Sequence, residues 1–172
     1  MVRKIVSGGQ TGADRGALDA AIELGIEHGG YCPAGRRAED GRIPDRYHLI
    51  ETASADPAER TEQNVLESDG TLLVTRGPAT GGSALTAALA ARHRRPFLHV
   101  DLDRDLDLGV VGDRTGNGEP AGRCAEVIRE WLGTWGIEVL NVAGPRASGC
   151  REIAQDVRAL LLRALGAGVR RG

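Results

Sequence analysis

Apolar residues follow two alternating patterns along the chain: short continuous runs, and longer stretches where they recur at helical spacing. Ile5-Val6, Gly29–Pro33, Gly70–Thr75, Phe97–Val100 and Ile137–Ala143 read as strands in that order. Gly70–Thr75 is apolar almost throughout, the pattern of a central strand buried on both faces. Between the runs, Ala17, Leu18, Ala21 and Ile22 share one helix face, and Gly25 ends that helix. Asp56-Pro57-Ala58-Glu59 opens a second helix, with Asp56 as N-cap, Pro57 at the first position and Glu59 closing a capping box. It runs to about Ser68 and carries Asn64. Ala84–Ala91 is apolar all round, which predicts deep burial or a subunit contact. Cys124, Val127, Ile128, Trp131, Leu132 and Trp135 make one face of a further helix, and Ile153, Val157, Leu160, Leu161 and Ala164 one face of the last. Strands alternating with helices predict an α/β fold: a single three-layer domain over residues 1–172, with a mostly parallel sheet covered on both faces. Residues 102–120 read as an irregular insertion and 168–172 as a frayed tail.

Composition narrows this picture. A chain of 172 residues with 41% hydrophobic and only 3% aromatic side chains has an aliphatic core. Its 25 glycines are not periodic, so they mark turns and close backbone contacts. A net charge of -2 gives no basic field for nucleic acid. Lys4 is the sole lysine, so the positive charge is nearly all arginine, the side chain suited to gripping phosphate or carboxylate. Cys32, Cys124 and Cys150 are odd in number and widely spaced, which argues against disulfides or a zinc site and for a reducing, cytoplasmic setting. The expectation is a protein with no signal peptide and no membrane span.

The candidate chemistry sits in the loops that follow the strands. Lys4–Asp14 reads strand, glycine turn, helix start; Gly8, Gly9 and Gly12 allow close approach to an anion, with Gln10 and Thr11 adding polar groups. The spacing is neither G-x-G-x-x-G nor a Walker A loop. Asp14 in the first helical turn is a ligand contact or a cap. The polar segment Ala34–Glu51 supplies Arg36 and Arg37 as an anion clamp, and Glu39, Asp40 and Asp45 as partners for hydroxyls or arginines or as acid/base groups. Arg76–Ser83 repeats the strand, glycine loop, helix arrangement with Gly81, Gly82 and Ser83, and Thr86 follows one turn later. Gly144 and Arg146 follow the fifth strand. Such loops meet at the carboxyl edge of a parallel sheet, where ligands bind. His93 and His99 read as structural. Asp101, Asp103 and Asp105 alternate as in a calcium loop, but Leu106 and Gly112 stand where a glycine and a glutamate are needed, so calcium and other metal sites are rejected.

G-G-Q-T-G-A-D-R-G-A-L-D-A-A, C-P-A-G-R-R-A-E-D-G-R-I-P-D-R-Y and R-T-E-Q-N-V, together with G-G-S-A-L-T-A and L-N-V-A-G-P-R, resemble the family of molybdenum cofactor carriers. That family is a circularly permuted branch of the Rossmann-like SLOG superfamily, related to the YpsA proteins and the cytokinin-activating LOG enzymes. The resemblance spans roughly residues 3–165. It implies a Rossmann-like fold, oligomers such as a dimer or tetramer, and a small anionic ligand: molybdenum cofactor or another phosphorylated pterin or nucleotide. The candidate contacts for such a ligand are Gly8, Gly9, Gln10, Thr11, Gly12, Asp14, Arg36, Arg37, Asp40, Asn64, Gly81, Gly82, Ser83, Thr86, Gly144 and Arg146. LOG hydrolases carry P-G-G-x-G-T-x-x-E, and here Gly81–Thr86 lacks the glutamate; Asp14, with Glu39 or Asp40, is the nearest acidic substitute. The expected function is ligand carriage, with a nucleotide N-glycosidase or phosphoribohydrolase, or a nucleotide-sensing domain, as alternatives.

Overall fold

The computed structural model describes residues 1–107 and 120–166. Its centre is an all-parallel sheet of five strands: β1 (Lys4–Val6), β2 (Glu27–Gly29), β7 (Gly70–Thr75), β8 (Phe97–Asp101) and β9 (Val139–Ala143), in the order β2-β1-β9-β7-β8. Register follows Ile5 opposite both His28 and Leu140, Leu72 opposite Val142, and Leu73 opposite His99. Every residue of β7 is buried, as its unbroken apolar run requires. The chain steps outward from β1 to β2, crosses to β7, steps outward to β8, and returns to place β9 between β1 and β7. That return makes the switch point at which a parallel sheet opens a crevice beyond its carboxyl ends.

Helices cover both faces. On one face α1 (Ala13–Leu24), α5 (Pro120–Trp135) and α6 (Ile153–Leu165) bury Ala17, Ala21, Ile128, Val157 and Leu161 against Ile5, Leu72, Leu140 and Val142. The near-absence of aromatics is met by small residues at close range. A Cβ on Gly16 would lie 2.3 Å from the carbonyl oxygen of Ala154, so α1 and α6 touch backbone to backbone there. On the other face α2 (Pro57–Leu66) and α3 (Gly81–Arg92) bury Val65, Leu89 and Ala90 beside Phe97. Asp56 caps α2 as its sequence predicts, accepting the Ala58 N–H at 2.9 Å.

Four expectations change. The strand expected over Gly29–Pro33 is divided at Gly30, whose φ of 120° only glycine adopts readily and whose Cβ would strike the Ser7 carbonyl oxygen at 2.4 Å. Its second part, β3 (Tyr31–Cys32), pairs parallel with β6 (Ile50–Glu51) in a separate ribbon. The polar segment between them is folded, with β4 (Arg37–Ala38) and β5 (Gly41–Arg42) forming a small hairpin over a cluster of Leu18, Cys32, Ile43 and Tyr47. Of the two readings of the apolar helix Ala84–Ala91, deep burial does not hold, since Leu85 is 37% exposed, and the subunit contact stays open. Of the expected insertion, Leu102–Asp107 is helix α4, while 108–119 and the tail at 168–172 lie outside the described residues.

Candidate functional site

The loops after β1, β7 and β9 converge at the switch point. Ser7 ties the first to the sheet, its hydroxyl donating to the Val142 carbonyl at 2.7 Å. The glycine turn beyond it is stitched to itself and to the β9 loop. Gln10 N–H donates to Asp14 Oδ2 at 3.2 Å, Thr11 N–H to Gln10 Oε1 at 3.0 Å, and Ala13 N–H to the Pro145 carbonyl at 3.1 Å. Gly12, at φ 80°, makes room for that contact, since a Cβ would lie 2.4 Å from Pro145 O. Of the amides in that turn, those of Gln10, Thr11 and Ala13 are therefore taken up inside the protein, while those of Gly8, Gly9 and Gly12, all buried residues, make no hydrogen bond among the described residues.

Solvent-exposed open amides lie at α3. Thr80 stands at its N-cap without a side-chain cap bond, and Ser83 and Ala84 turn their N–H groups back to the Thr80 carbonyl. The N–H groups of Gly81 and Gly82 make no hydrogen bond among the described residues. Two free amides at the positive end of a helix make this turn a candidate for meeting an anion.

The principal cation is Arg60 on α2, a residue the sequence reading quoted within R-T-E-Q-N-V but did not single out. Its Nη1 lies 3.0 Å from Asp14 Oδ2, with the two side chains 16% and 6% exposed. Gly8 makes this placement possible: a Cβ there would stand 1.6 Å from Arg60 Nη1. Arg60 Nε is buried and has no partner among the described residues, an uncompensated donor beside the cleft.

Two cavities open around this arginine. The first, about 260 Å³, is lined by Gln10, Asp14, Arg60, Thr61, Thr80, Gly81, Gly82, Ser83, Thr86, Ala143, Gly144, Pro145, Arg146 and Gly149. The second, about 220 Å³, is lined by Gly8, Gln10, Pro33, Arg37, Ala38, Glu39, Ala55, Pro57, Arg60 and Arg146. Gln10, Arg60 and Arg146 face both.

Other predicted residues stand elsewhere. Arg36, expected as an exposed anion clamp, is buried and donates to the carbonyls of Ile43, Pro44, Tyr47 and Leu49 at 3.0–3.3 Å. Asn64 brackets Tyr31, accepting its N–H at 2.8 Å and donating to its carbonyl at 3.0 Å. Gly9 abuts Leu49 and Ile43. Asp40 accepts two parallel hydrogen bonds from the Arg15 guanidinium, at 2.6 and 2.8 Å, and Arg42 donates to Asp45 at 2.6 Å. Thr11 donates to Glu39 Oε1, and Glu39 also accepts the Ser148 N–H at 3.0 Å and hydroxyl at 2.6 Å. Ser148 and Thr11 thereby hold the Glu39 carboxyl below its ordinary range, and the Arg15 guanidinium does the same for Asp40. Asp101 and Asp103 fix the β7–α3 loop: Asp101 accepts the Gly77 N–H at 2.8 Å and Asp103 accepts from Arg76 at 2.9 Å. Among the described residues no group of three or more His, Cys, Asp and Glu could hold a metal, and no helix is long and apolar enough to cross a membrane.

The model of the circularly permutated YpsA SLOG family matches residues 5–165. A crystal structure from Syntrophus aciditrophicus SB, titled "Putative molybdenum carrier protein", is similar over 95% of both chains, with 46% identity and a TM-score of 0.85. No curated protein matches the chain.

Proposed function

We propose, for a chain that belongs to the circularly permuted YpsA SLOG family, that the cleft at the switch point binds and hands on a small phosphorylated ligand of the molybdenum cofactor or nucleotide type. The observation carrying this reading is the pair of free amides at Gly81 and Gly82, two residues that line a cavity together with Arg60 and Arg146. Ser83 and Thr86 line the same cavity, with the Thr86 hydroxyl donating to the Gly82 carbonyl at 2.9 Å. The donor set is the one a phosphate monoester needs: fixed amides, a helix dipole and guanidinium groups. The name of the similar Syntrophus structure agrees with such cargo.

Carriage is favoured over hydrolysis by the state of the carboxylates. Cleavage of an N-glycosidic bond calls for a general acid of raised pKa beside a second carboxylate. Glu39 and Asp40 are shifted the other way, and Asp14 is ion-paired with Arg60 at 3.0 Å. Asp14 is the one carboxylate lining the larger cavity, so the phosphoribohydrolase alternative rests on it alone. Titration with molybdenum cofactor, its metal-free precursor and common nucleotides tests the reading, with free base assayed in the nucleotide samples. Saturable binding without base release is expected; release of base establishes the enzyme, and no binding to any of them overturns both.

The reading includes a cytoplasmic homo-oligomer, a dimer or tetramer. Trp135 and Val127 on α5 are 59% and 44% exposed, and all three cysteines are free. Light scattering at micromolar concentration is expected to give at least twice the 18.1 kDa chain mass, and a monomer contradicts the assembly.

A further inference from the structure

The sheet ends differently on its two sides. At one edge β2 is three residues long and carries the exposed Glu27. At the other, β8 runs for five residues and pairs only with β7 among the described residues. The Thr71 N–H donates to the Pro96 carbonyl at 2.9 Å. By strand alternation Leu98 and Val100 therefore turn their backbone groups to β7, while Phe97 and His99 turn theirs outward. Neither lysine nor proline nor a break in register blunts this edge, so it is a template for another strand. A hollow of about 310 Å³ lies beside it, with Leu98, Val100, Cys124 and Val127 as its apolar walls. The charges flanking β8 are opposite in sign. Arg92, Arg94 and Arg95 precede it, and Asp101, Asp103 and Asp105, interrupted by Arg104, end and follow it. Arg94 is exposed, and its guanidinium makes no hydrogen bond or ion pair among the described residues.

Resting on the homo-oligomer of the reading above, we propose that two copies of this chain join through β8, paired antiparallel about a two-fold axis at His99. The sheet then continues from one subunit into the next. A two-fold axis normal to the sheet reverses strand direction, and centring it on His99 overlaps the whole strand. His99 then exchanges its outward N–H and carbonyl with the partner's His99. The Phe97 N–H meets the carbonyl of the partner's Asp101. The Asp101 N–H needs no partner there, being held by Asp105 at 2.9 Å. Leu98 stands opposite the partner's Val100 at the mouth of the hollow, and the two α5 helices with their exposed Val127 lie on the same side of the axis. The same reversal brings the arginines that precede each strand to the aspartates that follow the other. The edge is thus complementary to itself in both backbone and charge, which selects a second copy over a foreign strand.

Sedimentation equilibrium of the full chain tests the interface, on wild type, His99→Pro, Arg94→Glu, Asp103→Arg and the Arg94→Glu/Asp103→Arg double variant. Proline at 99 removes a donor that points away from β7, so the ladder inside the subunit keeps its bonds. Arg94 and Asp103 are exposed, and reversing either sets like charges against each other across the axis. Wild type is expected to self-associate at micromolar concentration. His99→Pro and each single charge reversal should raise the dissociation constant at least tenfold, and the double variant should recover most of that loss. If wild type associates but His99→Pro and Arg94→Glu associate as tightly, the β8 interface is overturned while the oligomer stands. A wild type that stays monomeric overturns both. Thermal unfolding of each variant separates a lost interface from a lost fold, and the surface change Arg94→Glu keeps the test readable if His99→Pro does not fold.

Discussion

Arg36 adopts φ 51° and spreads its guanidinium over four backbone carbonyls, from Ile43 to Leu49. It is the internal strut of the polar segment. Hydrogen bonds from a charged donor to buried carbonyls are among the stronger kinds, and deleting the donor leaves the acceptors unpaired. Arg36→Ala is therefore expected to cost about 2–4 kcal/mol in urea unfolding. The segment's composition advertised four arginines near the ligand edge, but nothing in sequence distinguishes an arginine that meets a ligand from one that meets carbonyls. Arg60 shows the converse. It reads as an ordinary exposed helix residue, and its role depends on a glycine 52 positions earlier leaving space for it. Arg60→Ala strips a buried Asp14 of its counter-charge and should destabilise by about 2–4 kcal/mol. Adding Asp14→Asn should recover much of that stability in a double-mutant cycle without restoring ligand binding. Recovery of binding in the double variant would show that Arg60 serves folding alone.

Elements carry the next level of the account. The hairpin β4–β5 reaches the β9 loop through Glu39, whose folded-state pKa is depressed by Ser148 and Thr11. A depressed carboxylate contributes stability that is complete above its unfolded pKa, about 4.3, and is lost as pH falls through the lower folded value. The stability difference between wild type and Glu39→Gln should thus be constant from pH 6 to 8 and shrink on acidification below about 4. A difference that grows on acidification contradicts the clamp. Helix contacts are testable too: Gly16→Ala forces α1 from Ala154 and should cost about 1–3 kcal/mol by thermal unfolding. Periodicity made the long elements legible, because α1, α2, α6 and β7 each obey one local rule over many residues. The strands β3 to β6 were not legible as a unit. They are two residues each, and Tyr31 pairs with Ile50 only because Gly30 turns the chain out of the main sheet.

At the scale of the molecule, strand order decides where function resides. Placing β9 between β1 and β7 brings the glycine turn, the α3 terminus and Gly144–Arg146 to one edge. The edge itself was legible in sequence, since every strand of a parallel sheet delivers its following loop to the same side. What sequence did not disclose was the division of labour along it. Two glycine loops look alike, yet in one the amides of Gln10 and Thr11 are held within the loop and that of Ala13 by Pro145, in a buried turn, while the other leaves Gly81 and Gly82 open at an exposed helix start. An amide that gains a charge-assisted hydrogen bond shifts its proton resonance, so the two loops are distinguishable directly. The decisive measurement is an amide nitrogen–proton correlation spectrum of the full chain, titrated with guanosine 5′-monophosphate. The account predicts the largest downfield proton shifts at Gly81 and Gly82, with Gln10, Thr11 and Ala13 little moved. Large shifts at Gln10–Ala13 with Gly81 and Gly82 unmoved would contradict it.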